Sequence, residues 1–482
     1  MPDAPPSARA QSPRIIPRSE HPISRSAISP NALRVLYRLR EAGYQAFLVG
    51  GCVRDLMIGA PPKDFDVATD ALPDEVKRLF RNCRLVGRRF RLAHVFFGRE
   101  TIEVATFRAA SAPSQSEEPL PDADPEDGEL PEVDVELQLA GEPENEEGER
   151  LLDHTGRIIR DNVYGTIDED VWRRDFTVNA LYYNIADFSV WDYVGGAEDI
   201  AARRLRLIGD PETRYREDPV RMLRAARFEA KLGFTLDPAS AEPLERLRHL
   251  LIGVPPARLF DEMLKLFLTG HGARSLEALR KYKLLEILLP SLDRYLNEHP
   301  GSVVEQMLMT GLRNTDARAA AGKPVTPTFL LALLLYGPIA SLIEASPPER
   351  WHELQTILEA CDRAVREAAQ HMTIPRRFSL GVREMFAFQP RLEHPRGRRA
   401  LRLLESPRFR AAYDLLLLRA EHGLAPKEMA EWWTRLQEVS HEEQVRMADS
   451  LTGRGAPPSG ERRGMRRRRR GRRKRQRPAS PA

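Results

Sequence analysis

Two aspartates stand one residue apart in Lys63-Asp64-Phe65-Asp66-Val67, shortly after the turn Val49-Gly50-Gly51-Cys52-Val53-Arg54-Asp55. On a strand, side chains repeat every two residues, so Asp64 and Asp66 share a face. Carboxylates that close cannot both ionise cheaply without a cation between them. The chemistry that uses such a pair is phosphoryl or nucleotidyl transfer, in which two Mg²⁺ ions about 3.5–4 Å apart clamp the attacking and leaving oxygens. The Gly-Gly turn offers backbone N–H groups with no side chain in the way, which suits a triphosphate. Asp-x-Asp alone is weak evidence, because surface strands and Ca²⁺ loops also produce it. Gly-Gly-x-x-Arg-Asp ahead of it at this spacing is a much stronger signal.

Three more segments carry candidate chemistry. In Thr101-Ile102-Glu103-Val104-Ala105-Thr106-Phe107-Arg108, Glu103 alternates with Ile102 and Val104 and so points to the opposite face. It becomes a third carboxylate if this strand neighbours the aspartate strand; otherwise it is a solvated edge glutamate. Arg173-Arg174-Asp175-Phe176-Thr177 precedes an apolar run that predicts a helix over 176–184. Asp175 is then either a plain N-cap or part of a phosphate and ribose site at a helix start. In the run Arg216 to Arg227, Asp218 before Pro219 marks a helix start, and Arg221, Arg224 and Arg227 follow at every third residue. The plain reading is a solvated charged face. The functional one is a protein template for a base, with Arg donating to a ring nitrogen and Asp accepting from an exocyclic amine. His94, Cys52 and the pair Trp432-Trp433 read as ordinary packing residues.

The elements that must position these groups follow from periodicity. Helices are predicted over 31–43, 53–59 and 74–81, and strands over 46–49, 65–69, 93–97, 101–107 and 190–193, with a hairpin at Gly98-Arg99. After Gly195-Gly196 strand signals stop, and helices are predicted over 219–232, 243–250, 256–268 and 273–282, with many more beyond. The expected fold class is α+β. A head over 28–200 carries a disordered insert at 110–150 and is followed by a helical neck (201–270) and an all-α body (271–450). A leader (1–27) and a tail (451–482) are expected to be disordered.

Charge is distributed in blocks. The net charge is +4, yet residues 111–150 hold 15 acidic residues against one basic, and residues 451–482 hold 13 basic against one acidic. Outside the acidic block the chain stands near +18, which predicts a polyanionic partner. Cys52, Cys83 and Cys361 fit neither a zinc site nor a disulfide framework. No apolar run approaches a membrane span, and the N-terminus lacks a signal-peptide core. A cytoplasmic setting is the expectation.

Taken in order, Leu-Val-Gly-Gly-x-Val-Arg-Asp, Asp-Phe-Asp-Val, Ile-Glu-Val-Ala-Thr-Phe-Arg, Arg-Arg-Asp-Phe-Thr, Asp-Tyr-Val-Gly-Gly and Arg-Glu-Asp-Pro-Val-Arg-Met-Leu-Arg-Ala resemble the class II tRNA nucleotidyltransferase/poly(A) polymerase family over roughly residues 31–270. The resemblance implies a polymerase-β-like head followed by helical domains. It also implies ATP as substrate and Mg²⁺ in a two-metal site at Asp64 and Asp66. Glu103 would be the third catalytic carboxylate, and Asp175 is counted with them. Gly50, Gly51 and Arg54 would hold the triphosphate, Arg173 and Asp175 would contact ribose and phosphate, and Asp218 and Arg221, with Arg224 and Arg227, would read the base. Three features point to the poly(A)-adding branch, which adds AMP to RNA 3′ ends in RNA processing and decay. They are the segment Asn82 to Val95, the segment Pro407 to Leu416 and the Arg-rich tail. RNA-decay proteins are then expected partners. The alternatives are a CCA-adding enzyme and a catalytically inactive RNA-binding protein.

The tail residues Arg466, Arg467, Arg468, Arg472, Arg473 and Lys474 are expected to bind RNA without taking part in the chemistry. Each phosphate contact releases counterions, so affinity for single strands should fall with salt at a log–log slope of roughly −0.7 per contact. Truncation after Thr452 should raise the KM for RNA and flatten that slope, leaving the KM for ATP unchanged; an unaltered slope would show that the tail does not touch substrate.

Overall fold

The structure is a computed structural model that describes residues 12–87, 91–109, 150–152, 158–161 and 163–451. The acidic insert, apart from Arg150 at its end, and the tail with its six candidate RNA-binding residues lie outside the described residues. Two compact units meet between Arg383 and Glu384, inside the segment that sequence composition treats as one helical body.

The first unit is built on an eight-stranded sheet. Its strands are β1 (Arg14–Ile16), β2 (Ala46–Val49), β3 (Asp66–Thr69), β4 (Cys83–Val86), β5 (Leu92–Phe97), β6 (Glu100–Thr106), β9 (Leu181–Asn184) and β10 (Val190–Asp192), in the order β1-β10-β9-β2-β3-β6-β5-β4. Two short strands, β7 (Arg150–Leu152) and β8 (Ile158–Asp161), form a separate antiparallel pair. Within the large sheet only β3 and β6 run parallel.

Helix α1 (Pro30–Glu41) starts with Pro at its first position and Ser29 as N-cap, whose hydroxyl accepts from Asn31 N–H. It buries Ala32, Val35, Leu36 and Leu39, one helical stripe, against β2, β3 and β6. Next come α2 (Gly51–Met57), α3 (Pro73–Leu79) and α4 (Ile167–Arg173). Ile167 and Val171 of α4 pack on the other sheet face with Phe47, Val49, Ala68 and Tyr182. The carboxylates stand on that second face, because Asp66 pairs with Val49 and Glu103 pairs with Asp66.

Two expectations are corrected here. The run 176–184 is not a helix: a 3₁₀ turn, Thr177–Asn179, leads into β9, which lies between β2 and β10. Its apolar content suits either element, and pairing partners far away in sequence select the strand, which Leu181, Tyr182 and Tyr183 favour as aromatic and apolar residues. The helix of this region is α4, which ends before the run begins and where Thr166 N–H donates to Glu169 Oε2 in a capping box. Second, residues 12–27 are ordered. β1 pairs with β10, Ile23 is 1% exposed, and His21 is locked between Ile23 N–H, which donates to Nδ1, and the Phe188 carbonyl, which accepts from Nε2. β4, over residues for which no element was predicted, extends the sheet at its edge through pairing with β5.

The helices that follow are α5 (Gly196–Ala201), α6 (Pro211–Glu217), α7 (Val220–Leu232), α8 (Pro238–Leu247), α9 (Pro256–Leu268) and α10 (Gly272–Lys281). Helix α8 begins at Pro238, capped by Asp237, and carries Pro243 inside rather than at its start. A two-residue parallel pair, β11 (Arg204–Leu205) and β12 (Thr235–Leu236), interrupts the helical run. Helices continue to Arg383 and into the second unit. There Trp433 is fully buried, donates from Nε1 to the Leu392 carbonyl at 2.8 Å, and meets Trp432 edge-on, so the tryptophan pair is packing. No single helix among the described residues is long and apolar enough to cross a membrane.

If residues 12–27 belong to the folded head, Ile23→Ala should destabilise the protein by about 2–5 kcal/mol through lost transfer energy and a residual cavity. Urea unfolding checks this; an unchanged midpoint would mean that this segment contributes nothing to stability.

Candidate active site

At the end of β2 the chain turns through Gly50, whose backbone (φ 79°, ψ −137°) is a conformation that L side chains rarely adopt. A Cβ there would lie 3.7 Å from Asp66 Oδ2 and 3.8 Å from Arg174 Nη1. The glycine turn, an aspartate and an arginine therefore converge on one spot. Gly51 opens α2, and Cys52 is buried behind the turn with its thiol directed at the Val49 carbonyl.

The parallel pairing of β3 and β6 sets Asp66 level with Glu103, as the alternation of Ile102, Glu103 and Val104 requires. Asp64 lies in the bend just before β3 and is exposed. The three carboxylates feel one another. Burial and then Glu103 push the Asp66 carboxyl up to about 6, with Asp64 adding and Arg174 opposing. His94 lies across from Glu103, with Nε2 3.7 Å from Oε1. Among the described residues, no three His, Cys, Asp or Glu side chains close into a ready metal cage. The donor set nevertheless fits a hard cation: it is all-oxygen and acidic, and the raised Asp66 carboxyl marks a place where added positive charge would be favourable.

Arg173 is the last residue of α4, and Arg174 and Asp175 follow it, so the motif closes a helix rather than opening one, which corrects the expectation for it. Arg173 donates to the Ala109 carbonyl. Arg174 donates to Asp170 Oδ2 at 2.9 Å and to the Tyr182 hydroxyl at 2.7 Å, a clamp that aims its guanidinium at Asp66 and Gly50. Asp175 is buried. Its Oδ1 accepts from Phe176 N–H and from the Asn179 amide, and its Oδ2 pairs with Arg224 at 2.6 Å. Burial raises the Asp175 carboxyl, but Arg224 and those hydrogen bonds more than reverse it and hold it below the usual carboxylate range.

The remaining candidates are engaged by the protein itself. Arg54 is 1% exposed, donates to Asp55 Oδ1 and to Asn179 Oδ1 at 2.6 Å, and stacks over Phe228. Its side chain braces the glycine turn instead of reaching into open space. Asp218 receives both ends of the Arg258 guanidinium at 2.8 Å. Arg221 is buried, donating to the Arg214 carbonyl and to Glu217. Arg227 faces Glu262 at 3.6 Å. The arginine stripe of α7 is thus a row of buried or half-buried ion pairs, not a solvated face. Sequence reasoning missed Arg174, although it sits in the Arg-Arg doublet. It also missed Asn179, hidden in the run taken for a helix, and Arg258, which has no local signal because it lies in α9.

The sequence compares closely with known proteins. Residues 46–206 match the Poly A polymerase head domain, residues 233–296 the probable RNA and SrmB-binding site of polymerase A, and residues 349–476 the polymerase A arginine-rich C-terminus. Poly(A) polymerase I of Salmonella typhi is 45% identical over 448 residues, which is 92% of this chain and 90% of that protein. The chain belongs to the poly(A) polymerase family. Poly(A) polymerase I of Haemophilus influenzae is 42% identical over 88% of each chain. The CCA-adding enzyme of Bacillus subtilis is more distant in extent, 37% identical over 53% of this chain and 55% of its own. Among solved structures, the Thermotoga maritima CCA-adding enzyme complexed with tRNA shares the fold at TM-score 0.51 and 18% identity, over 90% of this chain and 89% of that one. The protein is a nucleotidyltransferase of this family, with a mixed-sheet head and a mostly helical remainder.

Asp66 gives a pH prediction with a definite sign. Its folded-state pKa of about 6 lies above the unfolded value of about 3.9. Without metal, its contribution to stability is therefore fully present below the unfolded pKa and lost as pH rises through about 6. In EDTA at pH 7.5, Asp66→Asn should be more stable than the parent by on the order of 1–3 kcal/mol, a gain that shrinks towards pH 4. Thermal melts at both pH values check this, and equal destabilisation at both would overturn the assignment of Asp66 as a strained carboxylate.

Proposed function

We propose that this protein is an ATP-dependent polynucleotide adenylyltransferase that adds AMP to RNA 3′ ends. The observation that carries the proposal is the register of β3 and β6, which brings Asp66 level with Glu103 beside the Gly50 turn. The RNA 3′-hydroxyl attacks the α-phosphorus of ATP, the bond to the bridging oxygen breaks, and diphosphate leaves. Bound at Asp64 and Asp66, with Glu103 alongside, two Mg²⁺ would lower the pKa of the attacking hydroxyl and neutralise the leaving group.

The chain's own groups supply position and charge. The Gly50-Gly51 backbone lets phosphate approach without steric conflict. Arg174, held by Asp170 and Tyr182, presents a fixed guanidinium next to Asp66. Asp175 orients Arg224 and Asn179, and through Asn179 it steadies Arg54. Asp218 and Arg221 are held rigid by Arg258, Glu217 and the Arg214 carbonyl, which supports a base-reading role with one preferred shape. The match of residues 233–296 to an RNA and SrmB-binding segment supports contacts of this helical region with RNA and with RNA-decay proteins, in the cytoplasm where both are found.

The test is incubation of purified protein with a labelled RNA and each NTP in turn, with Mg²⁺ and with EDTA. A ladder of additions with ATP alone, abolished by EDTA, is expected. Addition confined to tRNA and limited to CCA would favour the CCA-adding reading, and binding without addition the inactive one. Asp64→Asn and Asp66→Asn should each lower the rate by several orders of magnitude, since each removes a hard anionic ligand; near-normal turnover in either would sink the two-metal assignment.

A further inference from the structure

The row of paired residues that carries the carboxylates does not stop at Glu103. From β3 outward it runs Asp66, Glu103, His94 and Arg84, each level with the next across β6, β5 and β4. Side chains level with one another in a sheet share a face. The alternate positions Val104, Ile102, Val95, Ala93 and Cys83 are buried on the opposite face. The face that bears Asp66 and Glu103 therefore continues to the sheet edge at β4.

Phe96 lies on that same face, two residues along β5 from His94. Its backbone is pinned: Phe96 N–H donates to the Asn82 carbonyl at 2.9 Å, and the Asn82 amide donates to the Phe96 carbonyl. Yet the residue is 36% exposed. Contacts join it to the carboxylates. His94 Nε2 stands 3.7 Å from Glu103 Oε1, and its ring meets the Phe96 ring edge-on at 6.3 Å between centroids. The Arg84 guanidinium carbon lies 5.9 Å from the Phe96 centroid. Arg84 is exposed, and among the described residues no carboxylate stands at ion-pair distance from it.

An exposed ring and an unpaired guanidinium side by side suit single-stranded nucleic acid, whose bases stack on aromatic rings while its phosphates meet the cation. A small anion would leave the ring unused, and an apolar peptide would leave the arginine unused. Neighbouring strands lie about 4.8 Å apart, which sets the β5 ring ~10 Å from the strand of Asp66. At roughly 3.4 Å per stacked base, an RNA whose 3′-hydroxyl is at the carboxylates has its last few bases within that span.

We propose that Phe96 and Arg84 form a platform for the 3′-terminal nucleotides of the acceptor RNA, with Phe96 stacking a base and Arg84 meeting the adjoining phosphate. His94 is a positioning residue between this platform and Glu103. The proposal rests on the reaction proposed above.

The experiment uses the full chain and a short oligo(A) primer. Primer binding is read by fluorescence anisotropy without ATP or Mg²⁺, and KM is then measured for primer and for ATP. Phe96→Ala should weaken primer binding and raise the primer KM about tenfold, the scale of one lost base stack, without a matching rise in the ATP KM. Phe96→Tyr keeps the ring and should recover most of the loss. Arg84→Gln should lower the log–log salt slope of binding by roughly 0.7, one phosphate contact. A primer ending in photoreactive thiouridine should crosslink to the peptide that carries Phe96. Unchanged primer binding and primer KM in both Phe96→Ala and Arg84→Gln overturn the proposal. So does an equal rise in both KM values with a lowered melting temperature, since that marks a merely structural role for the hairpin. A parent protein that binds primer through Phe96 yet adds no nucleotide would count against the reaction instead, because the binding step needs no turnover.

Discussion

The buried Asp175 carboxylate holds the catalytic half of this protein together. It lies at a junction where β-sheet head and helical neck meet, and it carries charge in a place that water barely reaches. Such a charge persists only if partners saturate it. Arg224 comes from α7, and Phe176 N–H and Asn179 come from the head. Asn179 passes its other end to Arg54 on α2. Three guanidinium groups, from Arg54, Arg224 and Arg227, then lie within 4.6–5.9 Å of the Phe228 ring centroid, a packed cation–π cluster. One connected set of contacts thereby fixes the Gly50 turn and α2 against α7. Removing any one partner strands a buried charge, so the geometry is all-or-none rather than adjustable.

The carboxylate edge shows the opposite economy. Asp66 is kept half-buried next to Glu103 and near Asp64, and its raised pKa marks the strain. That strain is tolerable because the sheet beneath is dense: Val67, Val104 and Ile102 are essentially fully buried on the far face. A rigid sheet can hold like charges together in a way that a loop cannot. Arg174 relieves part of the repulsion, and its own position depends on Asp170 and Tyr182. The site thus depends on side chains from α4, β3, β6 and β9, elements separated widely in sequence.

Local patterns were legible wherever a residue's role depends on its immediate neighbours. The strand Ala46–Val49, the hairpin of β5 and β6, helix α9 and the opposed faces of Glu103 and Ile102 all follow from period and turn chemistry. Asp66 and Gly50 were legible too, because a positive-φ glycine and a carboxylate on a strand are local devices. The run 176–184 was misread because Leu181, Tyr182 and Tyr183 satisfy either period, and only β2 and β10 on either side make them a strand. Residues 12–27 were read as leader because their Pro, Ser and Arg content hides Ile16 and Ile23, whose burial needs β10 and the sheet.

By itself, the sequence determined which residue types stand together locally: carboxylates on a strand after a glycine turn, followed by an arginine-rich helix. Tertiary structure decided which charged groups the protein itself engages. Arg54, Asp218 and Arg221 look alike in sequence to Arg174, since each is a charge in a motif. They differ in whether a distant residue already occupies them. Asn179, Arg258 and Glu217 do so for the first three, whereas Arg174 is held by Asp170 and Tyr182 with its guanidinium beside Gly50. Coulombic pairing depends on distance in space, which a linear sequence does not encode.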